Sequence, residues 1–199
     1  MDHAESSGAS SVRRLAPDPD RLAELIRLDA PEELWDVYDA AGRKTGRVQR
    51  RGDPPGPGDF HLCIHVWIVN ARGEYLLTQR APGKSMAGLW ECTGGSALLG
   101  EDSLTAALRE VREETGLTLE PRRGELLFRF SGAHYHCDVW RFRHDFTLAD
   151  VALQPGETCG KMLAAPSRIR ALNKAGQFFA FEDLERVMAL PVTPFFPSE

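Results

Sequence analysis

Three glutamates within five residues, Glu110, Glu113 and Glu114, form the part of this chain best suited to chemistry. They stand in the run Arg109-Glu110-Val111-Arg112-Glu113-Glu114-Thr115-Gly116-Leu117, behind a glycine-bearing stretch, Gly95-Ser-Ala-Leu-Leu-Gly-Glu101. Residues three and four apart are neighbours on a helix, so the three carboxylates crowd one face and repel by roughly 0.2–0.5 kcal/mol per pair. Arg109 and Arg112 offset part of that repulsion. A divalent cation resolves the remainder, because hard cations such as Mg2+ take oxygen ligands and share them between protein carboxylates and substrate phosphates. An acidic run alone is usually a solvated helix face. The glycine stretch and Glu101, at fixed distances upstream, distinguish this one.

The element that must position these groups is a helix with defined ends. Glu101 and Asp102 place negative charge at its start, where the macrodipole favours it. Gly116 follows the last periodic residue and suits a left-handed C-terminal cap. Leu104, Leu108, Val111 and Thr115 share one face, expected to pack inward. Ala106 and Ala107 are assigned to the glutamate side, where small side chains would leave room for a bulky group.

The stretch resembles the Nudix box: Gly, five residues, Glu, seven residues, then Arg-Glu-hydrophobic-any-Glu-Glu-any-Gly-hydrophobic. Gly95, Glu101, Arg109, Glu110, Val111, Glu113, Glu114, Gly116 and Leu117 fill every defined position. The resemblance implies a hydrolase of nucleoside diphosphates linked to another moiety, dependent on Mg2+ or Mn2+. By position it makes Glu110, Glu113 and Glu114 metal ligands with the Gly95 carbonyl, and gives Glu110 and Glu114 catalytic roles. Glu101 and Arg109 would tie the loop to the helix. It also implies an α/β fold of the α+β kind, an α/β/α sandwich with a mixed sheet and the box helix packed on it.

Upstream, His61-Leu62, Asn70-Ala-Arg-Gly73, Leu76-Leu-Thr-Gln-Arg80 and Gly88-Leu-Trp90 are similar to the isopentenyl-diphosphate isomerase branch of the superfamily. That enzyme needs a cysteine followed by Gly-His at the start of its box. This chain reads Thr93-Gly94-Gly95-Ser96 there, and Cys92 falls two residues early. Isomerase chemistry is therefore the second reading. A nucleotide-binding module without hydrolysis is a third, disfavoured because the box carboxylates are intact.

Further candidates lie outside the box. Related enzymes often take an additional catalytic glutamate from a loop after the last long strand, and Gln154-Pro-Gly-Glu157 occupies such a place, which nominates Glu157. Arg80 and Lys84 could clamp phosphates as a planar fork and a point charge. A surface glutamate and an exposed basic loop are the plainer alternatives. His61, His65, His134 and His136 are read as half-solvated strand residues rather than ligands, and Trp90, Phe128 and Trp140 as core. Leu76 to Ala81 partly fits the signature of coenzyme A diphosphatases, and Tyr135 stands where diadenosine polyphosphate hydrolases carry a tyrosine. Neither identifies the substrate.

Composition bounds the remaining possibilities. The 199 residues carry 24 basic and 29 acidic side chains, net charge -5, which gives no bulk electrostatic case for nucleic acid or anionic membrane. No apolar run is long enough to span a bilayer, and the N-terminus lacks the pattern of a secretory signal. Cys63, Cys92, Cys137 and Cys159 are scattered and are expected as buried or half-buried thiols in a reducing cytoplasm. A lead-in with a short helix is expected over 1–32, the catalytic domain over 33–190 and a tail over 191–199. A hairpin around Trp35 to Gln49 could pair with a second copy, making a homodimer, or cover the sheet. Strands are expected at 60–69, 74–79, 125–130 and 135–146, with helices at 165–174 and 182–190.

Overall fold

The computed structural model describes residues 33–179 and 184–192. The short helix expected within 20–29, the start of the helix expected at 182 and most of the tail lie outside the described residues.

A hairpin opens the described chain: β1 (Leu34–Tyr38) pairs antiparallel with β2 (Lys44–Arg50) as a separate two-stranded sheet. The main sheet contains β3 (His61–Val69), β4 (Tyr75–Arg80), β5 (Trp90–Glu91), β6 (Thr93–Ser96), β7 (Gly124–Ser131), β8 (Tyr135–Arg143) and β9 (Thr158–Ala164). Its helices are α1 (Ser103–Thr115), α2 (Pro166–Lys174) and α3 (Leu184–Ala189). Strand β3 is the centre, running parallel to β8 from His61↔Tyr135 to Val69↔Arg143. Its other edge takes β6 over Cys63 to Val66 and meets β4 at Val69↔Tyr75. Beyond that point β4 pairs with β5 and β9 instead. The Asn70 side chain closes the turn between β3 and β4 by accepting from the Arg72 and Glu74 amides at 2.9 and 3.0 Å.

The alternation of β3 sorts the core into two layers, as period-2 patterning requires. Leu62, Ile64, Val66 and Ile68 join Ala106, Ala107 and Val111 of α1 in one cluster. Trp67 and Val69 face Ile169 and Leu172 of α2 and Leu184 and Val187 of α3 in the other. The result is the expected α/β/α sandwich with a mixed sheet and the box helix on one face. No helix among the described residues is long and apolar enough to cross a membrane.

Three expectations need correction. Ala106 and Ala107 are fully buried against the sheet, so their small size brings α1 close to β3 and β6 instead of leaving room on the glutamate face. All four cysteines are free, but Cys159 is exposed, because it lies on the solvent side of β9. That strand itself has no marked alternation in sequence, and its pairing with β4, not its own pattern, makes it extended. The glycine stretch also begins as strand β6, not as loop, because it pairs with β3.

Candidate active site

The glutamate helix is fixed at both ends. Asp102 caps it, its side chain accepting from the Thr105 amide at 2.7 Å. Gly116, at φ 72, ends it in the left-handed region and donates its amide to the Arg112 carbonyl. Thr115 returns its hydroxyl to the Val111 carbonyl at 2.6 Å, satisfying a buried polar group locally.

Arg109 ties helix to loop. Its Nε donates to Glu101 Oε1 at 2.7 Å, and Nη2 donates to Glu101 Oε2 and to the Ser96 carbonyl, both at 3.0 Å. Nη1 meets Glu110 and Glu113, each at 3.0 Å. Burial opposes the guanidinium's charge, but these carboxylates outweigh it and hold the group firmly protonated. Glu101 also accepts from the Leu98 amide at 2.8 Å. Through these contacts Glu101 and Arg109 lie between the loop and the helix.

The hairpin braces the same loop from outside. Asp36 accepts from the Gly100 amide at 2.8 Å and pairs with Lys44 at 2.7 Å, while Lys44 donates to the Glu101 carbonyl at 3.0 Å. The contacts to Gly100 and Glu101 join residues more than fifty positions apart, and no local sequence signal announces them.

Gly95 and Gly94 are required by close approach. A Cβ on Gly95 would fall inside the Glu110 carboxylate, and one on Gly94 would lie 2.7 Å from the Ile64 carbonyl. The backbone at Gly95 is therefore directly against Glu110.

Electrostatics single out Glu110 and Glu114. Burial pushes the Glu110 carboxyl up to about 7, with Glu113 adding to the rise, although Arg109 works against it. Burial, then the charges of Glu110, Glu91 and Glu157, pushes Glu114 well above the usual carboxylate range. Glu114 forms no ion pair among the described residues. Glu113, by contrast, is exposed. Among the described residues no three Asp, Glu, His or Cys side chains already converge as a closed metal cage. The donors nevertheless suit a hard cation: all are oxygens, and among the described residues no cation pairs with Glu114.

Opposite the helix stands a rim built from β4, the 81–89 loop and the turn before β9. Arg80 donates to the Ser85 carbonyl at 2.6 Å, to Ser85 Oγ at 3.0 Å and to Glu91 at 2.8 Å, and its guanidinium lies 5.2 Å from the Phe179 ring centre. Lys84 pairs with Glu157 at 2.6 Å, and the Ala81 amide donates to the Glu157 carbonyl at 2.9 Å. The structure thus brings Arg80, Lys84 and Glu157 together, and adds Glu91, which sequence reasoning missed. Glu91 is buried, and burial raises its carboxyl pKa despite the opposing charge of Arg80. An acid two residues before the glycine-rich stretch 93–96 was the available signal.

The histidines follow the sheet. His61 stacks on Trp35 at 4.3 Å between ring centres, and burial brings its pKa down to about 4. His136 is buried and bonds Ser131 and the Asp39 carbonyl at 2.7 and 2.9 Å. Phe128 is core, and Trp90 and Trp140 pack partly buried against it. Cys92 is 1% exposed, inside the second core cluster and not in the cleft.

Comparison with known proteins agrees with this geometry. The family model described as NUDIX domain matches residues 59–195. An uncharacterised Nudix hydrolase of Listeria monocytogenes is 32% identical over 160 residues, spanning 79% of this chain and 95% of its own length. An isopentenyl-diphosphate Delta-isomerase of Shigella flexneri is 33% identical over 87 residues, spanning 43% of this chain and 48% of its own. In fold, a Deinococcus radiodurans protein superimposes with a TM-score of 0.64 at 23% identity, over 78% of this chain and 97% of that one. A MutT protein of Methanosarcina mazei gives 0.52 at 23% identity, over 69% and 99%. With the box complete, its carboxylates gathered at one end of the sheet and the family match covering most of its length, the chain belongs to the Nudix family and is a Nudix hydrolase.

Proposed function

We propose that the protein hydrolyses the diphosphate linkage of a nucleoside diphosphate derivative or a related organic diphosphate, with Mg2+ or Mn2+. The observation that carries the reading is the pair Glu110 and Glu114, partly buried carboxylates, Glu110 lying against the Gly95 backbone and Glu114 forming no ion pair among the described residues. Glu110, Glu113, Glu114 and the Gly95 carbonyl would hold a divalent ion, which supplies charge neutralisation on phosphate oxygens and a lowered pKa for bound water.

The chain's own groups account for the rest. Water attacks one phosphorus as the bridging P–O bond breaks, the bonding electrons leaving with the second phosphate. Glu157 accepts the proton that water loses. Lys84 meets the phosphates as a point charge, and Arg80, its three nitrogens all donating to protein groups, adds positive field while shaping the loop that carries Lys84. The free cysteines suit a reducing cytoplasm.

The isomerase reading draws on the Shigella flexneri relative, but Gly94 and Ser96 stand where that chemistry needs cysteine and histidine. Product release from nucleoside triphosphates, sugar nucleotides, dinucleotides, coenzyme A and prenyl diphosphates, each with Mg2+ or EDTA, tests the assignment. Metal-dependent cleavage of one or more members is expected. Rearrangement of isopentenyl diphosphate without phosphate release would overturn it.

A further inference from the structure

Lys84 and Glu157 have separate tasks in the reading above, yet in the structure they occupy each other, Nζ to Oε2 at 2.6 Å. The pair sits where two loops join: the Ala81 amide holds the Glu157 carbonyl at 2.9 Å, and the Lys84 amide returns to the Ala81 carbonyl at 3.2 Å. Arg80 braces the loop from beneath through Ser85 and Glu91, and Gln79 does so through the Gly88 carbonyl at 3.0 Å. The Lys84 side chain is 13% exposed and that of Glu157 34%, so the pair opens to solvent on its carboxylate side.

We propose that Lys84 is a shared partner: it holds Glu157 until a substrate phosphate takes the ammonium, and phosphate binding thereby releases the Glu157 carboxylate to accept the proton from water. The inference rests on Glu157 acting as the base. The pair is open to solvent on its Glu157 side, so a ligand of higher charge can reach the ammonium and compete for it. A diphosphate offers more charge and more acceptor oxygens than one carboxylate. Lys84 would thus couple occupancy of the site to readiness of the base, and water would meet a free carboxylate only when substrate is present.

The test is a double-mutant cycle on affinity for imidodiphosphate, which resists hydrolysis, in Mg2+, using Lys84→Met, Glu157→Gln and the double variant. Lys84→Met should weaken binding about tenfold or more. Glu157→Gln should tighten it several-fold when Lys84 is present and change it less than twofold when Lys84 is Met, while Lys84→Arg should retain the coupling. Equal effects of Glu157→Gln in both backgrounds would overturn the exchange, leaving only general charge repulsion. The base reading is judged separately: Glu157→Gln with an unchanged kcat would remove it, whatever the binding cycle shows.

Discussion

Gly95 and Glu110 compete for the same volume: a single methyl group on Gly95 would lie within the Glu110 carboxylate. The glycine is there because the carboxylate is, and the relation gives the first prediction. Gly95→Ala should push Glu110 aside by about an ångström and lower kcat about 100-fold, since misplacements of that size cost on that order. Thermal denaturation should shift by only a few degrees, because the residue is not at a positive φ. Unchanged turnover would show that Glu110 does not need its present position.

Arg109 is the fastener between loop and helix, with five acceptor contacts to Glu101, Ser96, Glu110 and Glu113. Arg109→Met would leave partly buried carboxylates without a cation and should destabilise the fold by about 3 kcal/mol. Arg109→Lys keeps the charge but loses the fork, and should fall between the two. Urea denaturation measures both.

Stability at acid pH should report His61. Its ring, buried on Trp35, has a pKa near 4 against an ordinary 6.5. Below pH 6.5 the unfolded chain takes up a proton that the folded chain refuses. Stability therefore falls as pH drops, and this contribution levels off below about 4. The loss from pH 7 to pH 5 is about 2 kcal/mol. His61→Phe keeps a ring against Trp35 and removes the titration, so its stability should fall by that much less over the same interval. Parallel losses in both proteins would refute the assignment.

The start of the box helix depends on Asp102, whose carboxylate accepts the Thr105 amide. Asp102→Ala should cost about 1 kcal/mol in urea denaturation, while Asp102→Asn should cost a few tenths. No loss in Asp102→Ala would show that tertiary packing, not the cap, sets the helix boundary.

What the sequence made legible was local. The box helix, its cap at Gly116 and the contact between Glu101 and Arg109 all lie within a span of about twenty residues whose spacing carries the information. The strand expected at 60–69 is β3, and the hairpin expected around Trp35 to Gln49 is the β1–β2 pair. What remained hidden was long-range. Asp36 and Lys44 bracing the loop, Glu91 under Arg80, and Lys84 on Glu157 join residues from separate strands and loops, and their types alone do not say which charges will meet. Ala106 and Ala107 were misplaced because a helix packed closely on a sheet buries a wider stripe than its large apolar residues mark.

Glu114, with no ion pair among the described residues and crowded by Glu110, Glu91 and Glu157, is the expected ligand for a divalent ion on which the proposed hydrolysis depends. Titration of Mn2+ into the wild-type protein and Glu114→Gln, followed by the loss of the free-ion electron paramagnetic resonance signal, tests it most directly. The account predicts saturable binding to the wild type and affinity at least about tenfold weaker in the variant. Equal Mn2+ binding by both proteins would contradict it.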